Sequence, residues 1–167
     1  ADLPTPSSGN VLLGLLAGAE IHLCDPEGYR HGRHDRMAAL AQTIAERGGR
    51  PAVIPEGGSN TLGALGYVQA ARELVEQLGP GRPTSVVVAV GSGGTLAGLA
   101  MGFKALGVPF RAIGVPVCDD AATFRTIVNG IAASASRYGL PTLSSDDYEL
   151  VDGFQGRGYA LTTPAEL

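Results

Sequence analysis

Apolar positions along the 167-residue chain follow more than one period. Val11, Leu12, Leu15 and Leu16 are spaced for one face of a helix behind a polar Ser-Ser-Gly-Asn entry, with Gly18 as its stop. Residues 21–24 form a short run that reads as a strand, whereas residues 25–33, punctuated by Pro26, Gly28 and Gly32, read as a loop. Met37, Leu40 and Ile44 predict an amphipathic helix that ends at Gly48 and Gly49, and residues 51–55 predict a further short strand.

Beyond this point the pattern becomes regular. A glycine-rich turn, Glu-Gly-Gly-Ser-Asn at 56–60, leads into a helix that carries Leu62, Leu65, Leu74 and Leu78. Strand 84–90, helix 95–106, strand 110–117, a helix with Phe124, Ile127, Val128 and Ile131, and a last strand at 148–151 follow. Residues 86–90 are apolar throughout and mostly β-branched, which predicts a parallel strand covered on both faces. Strands alternating with helices through short connections predict an α/β fold, a parallel sheet flanked by helices and built from right-handed βαβ units. Ligands of such sheets lie outside the carboxyl ends of the strands, where both glycine turns fall.

The second turn, Gly-Ser-Gly-Gly-Thr at 91–95, carries the clearest chemistry. Gly91, Gly93 and Gly94 let the backbone turn tightly and approach a ligand, Thr95 reads as a helix cap, and Leu96, Leu99 and Phe103 line a buried face. Free N–H groups and the positive end of the helix dipole converge there, so an anion is the expected occupant. No Gly-Lys-Ser/Thr follows, which excludes a Walker A loop. A dinucleotide fingerprint fits poorly: Leu96 stands where a small residue belongs, and Asp119 and Asp120 lie beyond the usual spacing of about 20 residues. A single phosphate fits better.

Composition narrows the partners. A formal charge of -4 and a pI near 5.3 argue against nucleic acid and anionic membrane surfaces. The sequence has no run of about 18 apolar residues of the kind that crosses a membrane. Cys24 and Cys118 lie far apart, without the spacing of a disulfide framework or a zinc site, so a reduced cytoplasm is the simplest location. Cys118 reads as a small buried hydrophobe. His22, His31 and His34 read as surface residues with no metal site, and the pairs Asp119–Asp120 and Asp146–Asp147 as helix-start or turn groups. The sole lysine, Lys104, reads as a solvated helix charge.

Three motifs together carry a family resemblance: Glu-Gly-Gly-Ser-Asn-Thr-Leu-Gly-Ala-Leu-Gly-Tyr at 56–67, Val-Gly-Ser-Gly-Gly-Thr-Leu-Ala-Gly-Leu at 90–99 and Gly-Arg-Gly-Tyr at 156–159. The chain resembles the D-cysteine desulfhydrase and 1-aminocyclopropane-1-carboxylate deaminase family. Members are pyridoxal 5'-phosphate (PLP) enzymes of fold type II, similar to the tryptophan synthase β subunit. The resemblance implies that Gly91, Ser92, Gly93, Gly94 and Thr95 hold the PLP phosphate, and that Tyr159 is a catalytic phenol above the cofactor. It also implies that Gly58, Ser59 and Asn60 face the substrate, although helix capping explains Ser59 or Asn60 equally well. Residues 1–58 would end a smaller domain and residues 59–167 form the core of a larger one. A homodimer acting on a small amino acid is implied. The reaction would be β-elimination, as from D-cysteine to pyruvate, sulfide and ammonia, or deamination of the cyclopropane amino acid.

One departure is larger than any match. The family holds the PLP aldehyde as a Schiff base with a lysine near the chain start, in a Gly-Gly-Asn-Lys context absent from this sequence. Lys104 lies about 14 Å along a helix from Thr95 and does not replace it. The chain therefore resembles the central half of such an enzyme, with segments on both sides expected for activity. A non-catalytic phosphate- or PLP-binding module is the rival reading, and a nicotinamide-dependent oxidoreductase a weaker one.

Overall fold

The structure is a computed structural model and describes residues 8–156. The chain divides into two compact units, Ala1–Val53 and Ile54–Leu167. In the first, α1 spans Gly9–Leu16 and α2 spans Pro26–Glu46, and neither helix has a fully buried residue. The stretch expected to be a loop at 25–33 is helical. Asp25 is the N-cap, its carboxylate accepting the Gly28 N–H at 2.6 Å, and Pro26 sits in the first turn. Proline has no N–H to lose there, so residues that break a helix interior mark a helix start instead. The strands expected at 21–24 and 51–55 are also absent, because neither segment pairs with another strand to satisfy its backbone groups.

The second unit contains the alternation the sequence predicts. Helix α3 (Thr61–Leu78) is followed by β1 (Thr84–Val90), α4 (Gly94–Leu106), β2 (Phe110–Pro116), α5 (Ala121–Ala135) and β3 (Tyr148–Leu150). The strands form a parallel sheet in the order β1-β2-β3, with Thr84 opposite Phe110, Val90 opposite Pro116 and Ala112 opposite Tyr148. Two right-handed crossovers stepping the same way along a sheet place both helices on one face. Accordingly Val86, Val88 and Val90 turn inward with Ala112, Gly114 and Pro116, while Ser85, Val87 and Ala89 are exposed. Coverage of β1 on both faces is thus not observed among the described residues: Val87 is 62% exposed. Gly114 lets α4 settle on the sheet, since a Cβ there would lie 2.6 Å from side-chain atoms of Leu96 and Val90.

The core joins α3, α4 and α5 to the inner sheet face through Ala64, Ala71, Leu96, Met101, Phe103, Phe124, Val128 and Tyr148. On α3 the packed residues are small, Thr61, Ala64 and Ala71 with Val75, while Leu62 and Leu78 are exposed. The reason lies in α4, where Gly94, Gly98 and Gly102 recur every four residues and share a face. A Cβ on Gly98 would meet the Ala64 carbonyl and lie 2.5 Å from Tyr67 Cβ, and one on Gly102 would lie 2.5 Å from Ala71 Cβ. Gly98→Ala is therefore expected to lower stability by about 1–3 kcal/mol, despite alanine's better helix propensity of about 1 kcal/mol. Gly130→Ala on α5, where a Cβ meets nothing within 4 Å, is expected to raise it. Urea midpoints of the two variants check both signs.

At the far end of α4, Lys104 Nζ pairs with Asp147 at 2.7 Å, and the same carboxylate accepts the Ser144 N–H and hydroxyl at 2.6 and 2.7 Å. Partial burial pushes the Asp147 pKa up, but hydrogen bonds from Lys104 and Ser144, together with the ammonium charge, outweigh it and leave the group below 3.8. The folded state thus gains from the ionised form, an advantage fully present above the unfolded value and lost as pH falls through the lowered folded one. Asp147→Asn should melt below the wild type at neutral pH. The gap should close only in the acid range beneath pH 3.8, as read by thermal melts across pH.

Candidate functional site

The loop that leaves β1 is held at the carboxyl end of the sheet, where the Val117 N–H donates to the Val90 carbonyl at 3.1 Å. Gly93 then adopts φ 85° and is the N-cap of α4, so helix geometry begins at Gly94. Thr95 is consequently not the cap but the second residue of the first turn. A left-handed glycine has taken the capping position, a conformation that a β-branched residue resists. Gly91 needs neither exemption, because a Cβ on it would lie 3.6 Å from Val117.

The N-cap of this helix offers its first turn no side-chain acceptor. The Ala97 N–H reaches Gly93 O at 3.0 Å, and the Gly94 N–H reaches Ser59 Oγ at 3.1 Å. Helix geometry leaves the amides of Thr95 and Leu96 without an intrahelical carbonyl, and Gly93 has no side chain to cap them. The neighbouring starts carry side-chain caps of their own. Asn60 Oδ1 accepts the Gly63 N–H on α3 at 2.8 Å. On α5, Asp120 accepts the Thr123 N–H at 2.7 Å, and both oxygens of Asp152 accept the Ala121 N–H at 3.1 and 3.2 Å. The Thr123 N–H holds the Asp120 carboxyl below its usual range, so that cap is an anion at neutral pH. The start of α4 keeps its dipole for an external acceptor, with the half-buried Ser92 beside it.

The turn at 56–60 meets this loop. Ser59 Oγ lies 2.7 Å from Ser92 Oγ, and Gly57 and Gly58 adopt φ 64° and 61°. Of the three residues singled out in this turn, Ser59 is joined to Ser92 and Gly94. Asn60 caps α3, and Gly58 accepts the Asn60 N–H at 2.9 Å. Sequence reasoning missed the link between Ser59 and the second loop. The signal available was the four-residue recurrence of Gly94, Gly98 and Gly102, which brings a helix close.

Cys118 is exposed rather than buried, its Sγ donating to Gly91 O at 3.4 Å. It lies past the end of β2, in the turn towards α5, where no described helix or strand covers it. Asp152 and Gln155, which donates to the Asp119 carbonyl, fasten the segment after β3 next to this turn. Tyr159 lies outside the described residues. Lys104, at the opposite end of α4, is about 15 Å from Gly94 along the axis.

A family model for pyridoxal-phosphate dependent enzymes matches residues 3–165. The chain belongs to this family. It is 39% identical over 95% of its length to a mitochondrial bifunctional D-cysteine desulfhydrase/1-aminocyclopropane-1-carboxylate deaminase of Arabidopsis thaliana, covering 40% of that protein. It is 38% identical over 96% of its length to a putative 1-aminocyclopropane-1-carboxylate deaminase of Thermotoga maritima, covering 51% of it. A D-cysteine desulfhydrase of Klebsiella pneumoniae is also 38% identical, with 96% of this chain and 47% of that one covered. The crystal structure of a homologue of 1-aminocyclopropane-1-carboxylate deaminase superposes with a TM-score of 0.77 and 30% identity, over 93% of this chain and 46% of that one. The chain thus spans about half the length of the relatives it matches.

The residues present fit the phosphate end of PLP. Two uncapped amides and a serine hydroxyl converge where Gly93 is left-handed, and a Cβ on Gly94 would sit 2.6 Å from Ser59 Oγ and close the cradle. They do not include a lysine for the aldehyde end. Partial desolvation of its sulfur, then the neighbouring Asp119 carboxylate, pushes the Cys118 thiol up, so it is protonated at neutral pH and unsuited to attack substrate. Despite its exposure, Cys118 should be alkylated by iodoacetamide more slowly than a free thiol at neutral pH and should accelerate as pH rises. Peptide mass spectrometry against time reads both.

Proposed function

We propose that the chain forms the phosphate-binding core of a fold type II PLP-dependent lyase acting on a small amino acid. D-Cysteine is the favoured substrate, converted to pyruvate, sulfide and ammonia, and deamination of aminocyclopropane carboxylate is the neighbouring reaction. The observation that carries this reading is the uncapped start of α4 beside Ser92, within a chain of this family. The Glu-Gly-Gly-Ser-Asn turn and the similarity to a D-cysteine desulfhydrase support the choice of substrate. Residues 1–58 end the smaller domain and residues 59–167 form the core of the larger one. The complete enzyme is a cytoplasmic homodimer.

In this reading the loop 91–95 binds the phosphate through the Thr95 and Leu96 amides and the Ser92 hydroxyl, with the α4 dipole favouring its charge. When bound, PLP supplies the electron sink that lets a bond at the substrate's α-carbon break. Turn 56–60 orients the substrate. Tyr159 is assigned the role of passing a proton from its phenol to the leaving group. The sole lysine is paired with Asp147 at the far end of α4, so this chain alone binds PLP without turnover.

The test titrates the purified chain with PLP in competition with inorganic phosphate, then reduces the mixture with borohydride. Saturable binding relieved by phosphate, with no adduct on Lys104, is expected. Sulfide and pyruvate from D-cysteine should appear only when a polypeptide covering the rest of a relative's length is added. Failure to bind PLP, or saturable NAD binding in its place, overturns the reading.

A further inference from the structure

Ser59 and Ser92 are separated by all of α3 and β1, yet their hydroxyl oxygens lie 2.7 Å apart, and Ser59 Oγ also accepts the first amide of α4 at 3.1 Å. Two glycines make room for the pair. A Cβ on Gly57 would strike Ser92 Oγ, and one on Gly94 would lie 2.6 Å from Ser59 Oγ. A hydroxyl has one hydrogen and two lone pairs. The Gly94 N–H occupies one lone pair of Ser59. If the Ser59 hydrogen points to Ser92 Oγ, the Ser92 hydrogen is left for a third acceptor. In the opposite sense Ser92 turns lone pairs outward, which an anion repels.

We infer that Ser59 is a positioning residue for the cofactor phosphate, passing the pull of the α4 amide through the Ser92 hydroxyl to the anion. The inference rests on the PLP reading above. An anion in the loop selects one direction along Gly94 N–H, Ser59 O–H and Ser92 O–H, and each bond polarises the next. Ser59 thereby acts without touching the ligand, and it ties the turn at 56–60 to occupancy of the loop at 91–95.

The test measures by calorimetry the affinity of the full chain for PLP and for pyridoxal, which has the same ring and aldehyde without the phosphate. Ser59→Ala is expected to weaken PLP several-fold, less than removing the Ser92 hydroxyl itself, and to leave pyridoxal unchanged. Ser59→Thr should keep the wild-type affinity. The double variant Ser59→Ala/Ser92→Ala should bind PLP no more weakly than Ser92→Ala alone, because Ser59 acts through Ser92. Equal losses for PLP and pyridoxal, additive losses in the double variant, or unchanged PLP binding by Ser59→Ala each overturn the inference. If the alanine variant does not fold, Ser59→Cys, a weak donor of similar size, carries the same expectations. A wild type that binds PLP no better than pyridoxal overturns the phosphate reading itself, whereas a preference kept intact by Ser59→Ala overturns only the role of Ser59.

Discussion

The close approach of α3 to α4 places the groups on which the candidate site depends. Gly94 faces Ser59, Gly98 faces Ala64 and Tyr67, and Gly102 faces Val68 and Ala71. The contacts advance in the same direction along both helices, so the two run parallel and begin side by side at the carboxyl end of β1. Larger side chains on either partner would spread the axes and separate the Ser59 and Ser92 hydroxyls. Packing along the helices and polar geometry at their starts are one constraint.

That end of the sheet divides its helix starts between two tasks. Carboxylate and carboxamide side chains cap α5 and α3, which fixes the turns that lead into them. The start of α4 has only a hydroxyl on its first amide, beside half-buried Ser92 and Thr95, which in the proposed reading leaves its remaining donors for an anion. An acidic cap at position 93 would close the site as surely as blocking it with a side chain.

Strong periodicity was legible: β1, α4, β2, α5 and β3 emerge from apolar runs and helical spacing, and their parallel order follows from the alternation. Signals with two meanings misled. Asp25 and Pro26 resemble a loop until their side-chain cap is seen, and residues 21–24 and 51–55 resemble strands until they are found to have no partner. Apolar spacing singled out Leu62 and Leu78 on α3, whereas glycines elsewhere in the chain decided that alanines would be the packed residues. Asn60 and Ser59 could each be placed at a helix start from sequence. Only the fold distinguishes the one that caps its own helix from the one that reaches the next.

The bare outer face of the sheet has a consequence for how the chain behaves among its own copies. Among the described residues β1 is an edge strand, apolar from 86 to 90 without charge or proline, and its outer N–H and C=O groups form a template for any extended segment. Ser85, Val87 and Ala89 add an exposed, nearly uncharged stripe. The residues that make β1 a good inner strand make it an adhesive outer one. An edge of this kind favours pairing between copies as concentration rises, unless another segment covers it.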